Sequence, residues 1–186
     1  RFLLILTLIL TLGGCQSLGK LFGDKEAETE TLPVETMYAT AKASMDGNNF
    51  DRAGRYYQRL VARFPYGPYS EQAQLELAYV QYKQSKTEEA TATIDRFIRT
   101  YPTHQNIAYF YYLRGLANSN RDTVMLQRVW SLDPSRRDLA SPLQAYDDFS
   151  RVVQRYPNSR YAEQARQRMV DLRNLFARHE MDTALY

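Results

Sequence analysis

Apolar and polar positions recur along this chain with the period of an α-helix, in blocks that end at the same kind of corner. Tyr57, Leu60, Val61 and Phe64 make one block; Ile94, Phe97, Ile98 and Tyr101 a second; Phe149, Val152, Val153 and Tyr156 a third. Spacings of three and four put each set on one face of a helix. A proline follows each block directly, at Pro65, Pro102 and Pro157. Proline disfavours helical geometry in the residue before it, so each block predicts a helix that stops at an aromatic residue. In all three, an alanine (Ala53, Ala90, Ala145) stands eleven residues ahead of that aromatic residue. So small a side chain lets a preceding helix cross closely. Asp46-Gly47-Asn48-Asn49 and Gln84-Ser85-Lys86-Thr87 predict the turns that lead into the first two blocks.

The corners are written alike: RFPYGPYSEQAQ at 63–74, RTYPTHQNIAYF at 99–110 and RYPNSRYAEQAR at 155–166. The first two units repeat at 37 residues, within the range of helix-pair solenoids. Each pair buries its apolar face only by stacking on the next, which is why the corner is written more than once. The expected fold is all-α, a solenoid over residues 34–186 that resembles the tetratricopeptide repeat (TPR), with about three repeats plus the start of a fourth. Ala90 and Ala145 are 55 residues apart. The surplus predicts an insertion near 118–141 containing RVWSLDPSRRDLASP, bracketed by Asp133-Pro134 and Ser141-Pro142. Pro142 fits a first helical turn. Long connections are often functional, and Trp130 either serves such a role or folds back on the solenoid.

The N-terminus follows another pattern. After Arg1, Phe2 to Leu12 are apolar save for Thr, and would span about 16 Å as a helix, roughly half a bilayer core. That is the size of a signal-peptide h-region. Leu12-Gly13-Gly14-Cys15 resembles the bacterial lipobox, so residues 1–14 are expected to be a lipoprotein signal and Cys15 the lipidated residue. Gln16 in place of Asp favours the outer membrane, periplasmic face, and several acyl chains on one Cys give stable anchoring. Residues 15–33 are small, polar and acidic, which predicts a disordered tether with a reach of roughly 25 Å.

Composition narrows the function. With 44% hydrophobic and 24% charged residues the chain can build a core. A net charge of +3, with both signs interleaved, gives no argument for nucleic acid. A single Cys excludes an internal disulfide and a Cys-rich metal site. His104 and His179 stand alone, and the chain has no HExxH, GxSxG, CxxC or phosphate loop. Asp147-Asp148 are adjacent on a helix, point apart and are expected to be a solvated face. Arg136-Arg137 and Arg166, Arg168 and Arg173 are exposed cations able to meet acidic partners. No enzyme activity, cofactor or metal is therefore expected.

Fifteen tyrosines against one tryptophan are the outlier. Tyrosine suits packed surfaces that also meet partners. The repeat register points Tyr38, Met45, Leu75, Tyr79 and Tyr82 into a concave groove, with Tyr109 and Tyr112 placed similarly in the third unit. Such a groove suits an extended or helical peptide with large apolar side chains. PYGPY at 65–69 is a rigid aromatic corner in which Gly67 permits a positive φ.

Lipobox, acidic tether, and the segments YATAKASMDGNNFDRA, FPYGPYSEQAQLELAYVQYK, IDRFIRTYPTHQNIAYFYYLRGLA and YDDFSRVVQRYPNSRYAEQA together closely resemble the BamD (ComL/YfiO) family. The resemblance implies a non-enzymatic lipoprotein scaffold of the outer-membrane β-barrel assembly machinery. Implied partners are BamA-like POTRA domains, a BamC-like lipoprotein where one exists, the membrane through the lipid, and unfolded outer-membrane proteins whose last strand ends in an aromatic residue. The family's first-repeat corner, linked to that recognition, maps to Phe64 and Gly67; many relatives have Tyr at the former. Family members continue for further repeats, so the chain reads as truncated at its C-terminus, and no BamA contact is carried over. The alternatives are another periplasmic TPR lipoprotein (a secretin pilot or a cell-division coordinator) and a helical muramidase, which would need a further catalytic domain.

Overall fold

The computed structural model describes residues 32–126 and 139–185. Among these residues there are seven helices and no strand: α1 (Val34–Asp46), α2 (Phe50–Arg63), α3 (Pro68–Lys83), α4 (Thr87–Thr100), α5 (Ile107–Leu126), α6 (Ala140–Arg155) and α7 (Ala162–Ala184). Each packs on its successor, and α3 also touches α1 and α5, so α1, α3 and α5 run side by side along one wall. This is the expected all-α helix-pair solenoid.

The repeat is legible in the backbone as well as in the letters. Phe64, Tyr101 and Tyr156 end α2, α4 and α6 in nearly the same conformation, with φ of −123°, −130° and −132°. In each case the cap N–H still donates to the carbonyl four residues back, on Leu60, Phe97 and Val152. The inner turns match too: Asn48 and Ser85, 37 residues apart, both adopt positive φ, of 57° and 61°. Asn tolerates that region better than Ser. Asn49 caps α2 by accepting the Arg52 N–H at 3.1 Å. Gly67, at φ 103°, caps α3 ahead of Pro68. Only glycine adopts that value without strain.

Ala53, Ala90 and Ala145 are all fully buried at the helix crossings. Gly115 is a fourth close-approach point that the repeat pattern did not single out: a Cβ there would sit 2.6 Å from the Phe149 ring. Two apolar clusters result. The first joins Met37, Tyr57, Leu60 and Leu77, and the second joins Ile94, Phe97, Phe110, Leu113, Phe149 and Val152, with α3 contributing to both.

The start of the expected insertion is helical. Nothing between Asn118 and Leu126 is Pro or Gly, and α5 runs through to Leu126. Pro142 lies in the first turn of α6 as expected. Trp130, Asp133-Pro134, Arg136-Arg137, the signal at 1–14, Cys15 and the tether as far as residue 31 lie outside the described residues.

The Asp147-Asp148 pair requires a correction. Asp147 is exposed and pairs with Arg151 at 2.8 Å. Asp148 is fully buried, gripped by Arg114 of α5 through Nε at 3.0–3.1 Å and Nη2 at 2.6 Å. Arg114 reaches Asp95 of α4 with Nη1 and lies 5.4 Å from the Tyr111 ring centroid. One guanidinium thus ties three helices together. Asp148 is buried because a cation from the neighbouring helix meets it there, which adjacency along one helix cannot reveal. Burial pushes its carboxyl up, and the Arg114 cation opposes that rise.

Candidate functional site

The concave wall is built by helical spacing. Gln72, Leu75, Glu76 and Tyr79 fall at three- and four-residue steps and so share one face of α3. That face is flanked by Met45 of α1 on one side and by Asn106 and Tyr109 on the other. Arg160 and Tyr161, from the corner that precedes α7, close the far end. Together they enclose a cavity of about 400 Å³. A larger hollow of about 730 Å³ lies on the outer side of α1, between Thr36, Ala39, Thr40 and Ala43 and the α2 residue Arg52. Its walls carry no aromatic ring.

At the floor of the smaller cavity is Glu76, only 7% exposed. Its Oε1 accepts the Tyr38 hydroxyl at 2.9 Å and the Gln72 amide at 2.9 Å; its Oε2 accepts the Tyr57 hydroxyl. A carboxylate has about four lone-pair directions, so three donors leave one open on Oε2. Tyr38 comes from α1, Tyr57 from α2 and Glu76 from α3, so the carboxylate fastens the first three helices.

Burial first, and then the Glu76 carboxylate, push the Tyr38 and Tyr57 phenols well above the ordinary tyrosine value. Raised folded-state values mean that the folded protein holds these protons longer. The resulting stability is complete below about pH 10 and is lost as pH rises through the raised values. In an alkaline titration, the near-ultraviolet tyrosinate signal should show a late step that coincides with loss of helical circular dichroism. Tyr57→Phe should shrink that step. Full tyrosine ionisation with the helices intact would contradict this assignment.

The walls are aromatic. Tyr109 lies 5.4 Å from Tyr161 between centroids. Burial pushes the Tyr109 phenol up, and the nearby Arg160 charge works in the opposite direction. Arg160 lies over the Tyr161 ring, 4.9 Å from its centroid, and donates to its hydroxyl. Among the described residues it has no carboxylate partner.

The sequence-predicted residues divide. Met45, Leu75, Tyr79 and Tyr109 line the cavity together. Tyr38 contributes from beneath, through Glu76 and ring contacts to Tyr57 and Tyr69. Tyr112 is nearly buried, stacked on Tyr161 at 5.3 Å and donating to Gln164 at 3.0 Å, so it supports the wall from behind. Tyr82 packs against the second apolar cluster, away from the cavity lining. Phe64 packs against the first cluster, and Gly67 has open space around its missing Cβ; both belong to the outer corner. There Tyr66 is 81% exposed. His104 of the next corner accepts the Asn106 N–H on Nδ1, which leaves Nε2 facing Glu71 at 3.7 Å.

Sequence reasoning missed Glu76, Arg160 and Tyr161. A signal for the last two was present, since RYPNSRY aligns Arg160 and Tyr161 with Pro68 and Tyr69 of the first corner. Tyr69 touches Tyr38 as Tyr161 touches Tyr109. Arg166 and Arg173 are occupied by Glu163 and the Tyr146 hydroxyl. Among the described residues no group of three or more His, Cys, Asp or Glu is placed to hold a metal, and no helix is long and apolar enough to cross a membrane.

Comparison with known proteins supports the same architecture. The TPR domain of Arabidopsis OM64 superposes with a TM-score of 0.55 at 14% identity, over 74% of this chain and 94% of that one. MamA from Desulfovibrio magneticus RS-1 gives 0.53 at 15% identity, over 78% and 77%. These likenesses show the fold. In sequence, the chain is 56% identical over 162 residues to the outer membrane protein assembly factor BamD of Xylella fastidiosa strain Temecula1, covering 87% of this chain and 55% of that protein. It is 40% identical over 187 residues to BamD of Neisseria meningitidis serogroup B, covering 100% and 69%, and 35% identical over 176 residues to that of Vibrio cholerae, covering 94% and 73%. The chain thus spans little more than half the length of its Xylella relative. The family described as YfiO, outer membrane lipoprotein, matches residues 30–186, and the chain belongs to it.

Proposed function

We propose that this chain is a non-enzymatic scaffold in the assembly of outer-membrane β-barrel proteins, and that the cavity along α3 receives a segment of an unfolded barrel protein. The observation that carries the reading is a concave, aromatic-walled groove built from the inner helices of successive repeats, in a member of a family whose relatives are named assembly factors. An extended strand places alternate side chains on one side, and large apolar ones fit between Leu75, Tyr79 and Tyr109. Glu76 holds two phenols and an amide, an arrangement that builds the floor of the groove. Lipid on Cys15 would hold the solenoid at the periplasmic face of the outer membrane, with the tether letting it reach POTRA domains of a BamA-like subunit and a BamC-like lipoprotein.

Photocrosslinking tests the groove. A photoreactive residue is placed at Met45 or Tyr79 of the full chain, and at Val170 on the exposed side of α7 as control. The bait is a synthetic strand peptide from an outer-membrane barrel protein. Crosslinks from the two groove positions that unlabelled peptide competes away, with none from Val170, are expected. Equal labelling at Val170, or none anywhere, would remove the groove from the reading.

A further inference from the structure

We propose that the outer face of α2 is a docking strip for this chain's own acidic segment, Asp24 to Glu30, which lies along it and shortens the tether that precedes α1.

The strip follows the helical period. Arg52, Arg55, Arg59 and Arg63 succeed one another at steps of three and four residues, and so share one face of α2. Arg52, Arg55 and Arg63 are exposed and have no carboxylate partner among the described residues. Arg52 and Arg63 are steadied over the rings of Tyr56 and Phe64, at 5.7 and 5.0 Å from their centroids. None of the four lines the groove along α3.

The acidic segment follows the period of a strand instead. Asp24, Glu26, Glu28 and Glu30 take every second position, with Lys25, Ala27, Thr29 and Thr31 between them. In an extended chain alternate side chains share a side, so the acids face one way and Lys25 the other. Successive acids then stand about 6.6 Å apart, against a rise of about 4.5–6 Å between successive arginines on the helix. Acids and arginines therefore match in number and nearly in spacing, and Lys25 does not oppose them.

The join between the two is visible in the structure. Arg63 donates through Nη1 to the Leu32 carbonyl at 3.0 Å, and the Leu32 side chain packs against the first apolar cluster. Leu32 stands two residues after Glu30 and continues the same alternation. A chain extended upstream of Leu32 thus turns its acids toward the body that already holds Leu32. The backbone bends at Leu32, which lets the segment before it fold back along α2. Glu30 then meets Arg63, Glu28 meets Arg59 and Glu26 meets Arg55. With residues 24–31 on the solenoid, only 16–23 remain to span to Cys15, and the reach falls from roughly 25 Å to about 16 Å. Salt screens exposed charge pairs, so this reach lengthens as ionic strength rises.

The test measures one distance in the full chain in detergent. Nitroxide labels are placed at Thr29→Cys, on the outward side of the segment, and at Gln58→Cys, exposed on α2. Cys15→Ser leaves no other thiol to label. Pulsed electron paramagnetic resonance at low ionic strength should give a narrow, short-distance population. Arg55→Gln with Arg59→Gln should lower its ratio to the broad remainder about fivefold, the scale of two exposed ion pairs. Salt at about 1 M, where charges are screened within about 3 Å, should abolish it. Neither arginine belongs to an apolar cluster, so circular dichroism should show the variants folded. Arg55→Glu with Arg59→Glu should also abolish the population, and adding Glu26→Lys and Glu28→Lys should bring it back, which damage to α2 could not do. A broad distribution in the chain with all four arginines would mean that the segment does not dock. A narrow population indifferent to the arginine variants would mean that something other than α2 holds it. Its loss on adding phosphatidylglycerol vesicles, but not phosphatidylcholine vesicles, would make the strip a membrane-surface site in place of the segment's.

Discussion

Arg114→Met is expected to cost about 3–5 kcal/mol of folding stability at neutral pH, because it strands a buried carboxylate. Met keeps most of the volume and helix propensity of Arg, so the loss isolates the charge. Asp148 has no exposed surface, and three of its hydrogen bonds come from the one guanidinium. The amides of Asn118 and Gln144 stand farther off, at 3.4 and 3.5 Å, and cannot replace a cation. Asp95, being part-exposed, would return to water at little cost.

The pH dependence gives the sign. Without Arg114 the folded-state value of Asp148 rises further above that of the unfolded chain, so the folded variant binds a proton that the unfolded chain has released. Its stability relative to the unmodified protein should therefore be worst at neutral pH and improve as pH falls toward the ordinary carboxylate range. Adding Asp148→Leu should restore much of the loss, since an apolar pair is often as stable as a buried ion pair. Restoration should stay incomplete, because the buried Asn118 amide would lose an acceptor. Chemical denaturation of the single and double variants at two pH values checks all of this. A single variant that loses under about 1 kcal/mol, with no pH dependence, would mean the clamp contributes little to the fold.

The clamp marks the boundary of what the letters alone disclose. Helix stops at Phe64, Tyr101 and Tyr156 were legible because proline acts on its immediate neighbour, and the crossings at Ala53, Ala90 and Ala145 because each stands eleven residues ahead of its aromatic stop, a spacing within one helix. Arg114 and Asp148 are 34 residues apart on different helices, and no spacing rule links them. Helix α3 hid its role for a related reason. It is packed on α1, α2, α4 and α5, so it buries Gln74, Glu76 and Gln81 along with its apolar residues and its pattern loses contrast. Buried polar groups are tolerated only with partners, and those of Glu76 arrive from α1 and α2. The candidate groove was half legible: Leu75, Tyr79 and Tyr109 followed from the register. Tyr82 was drawn off to the second cluster, and Arg160 and Tyr161 entered from a corner that read only as a turn.

Phe97→Ala should cost a further about 3–5 kcal/mol in its own right, as large aromatic truncations in closed cores do. Phe97 has no exposed surface and stacks on Phe110 with centroids 4.0 Å apart and planes at 18°. The His104 ring meets it edge-on at 5.1 Å, and Tyr101 closes the side at 4.9 Å. It thus joins the end of α4, the Pro102 corner and the start of α5, so its removal opens the seam between the second and third helix pairs. In a solenoid, stability is a sum of unit and neighbour-interface terms, so damage at one seam should be felt unevenly. Met37, Tyr57, Leu60 and Leu77 belong to the other cluster. Hydrogen exchange should therefore lose more protection in α4 to α7 than in α1 to α3, where the Glu76 knot is untouched. The groove spans that seam, with Tyr79 on one side and Tyr109 on the other, so the variant should also lose peptide affinity although no cavity-lining residue has changed. Uniform loss of protection across all seven helices would instead mean that the described solenoid unfolds as one cooperative unit.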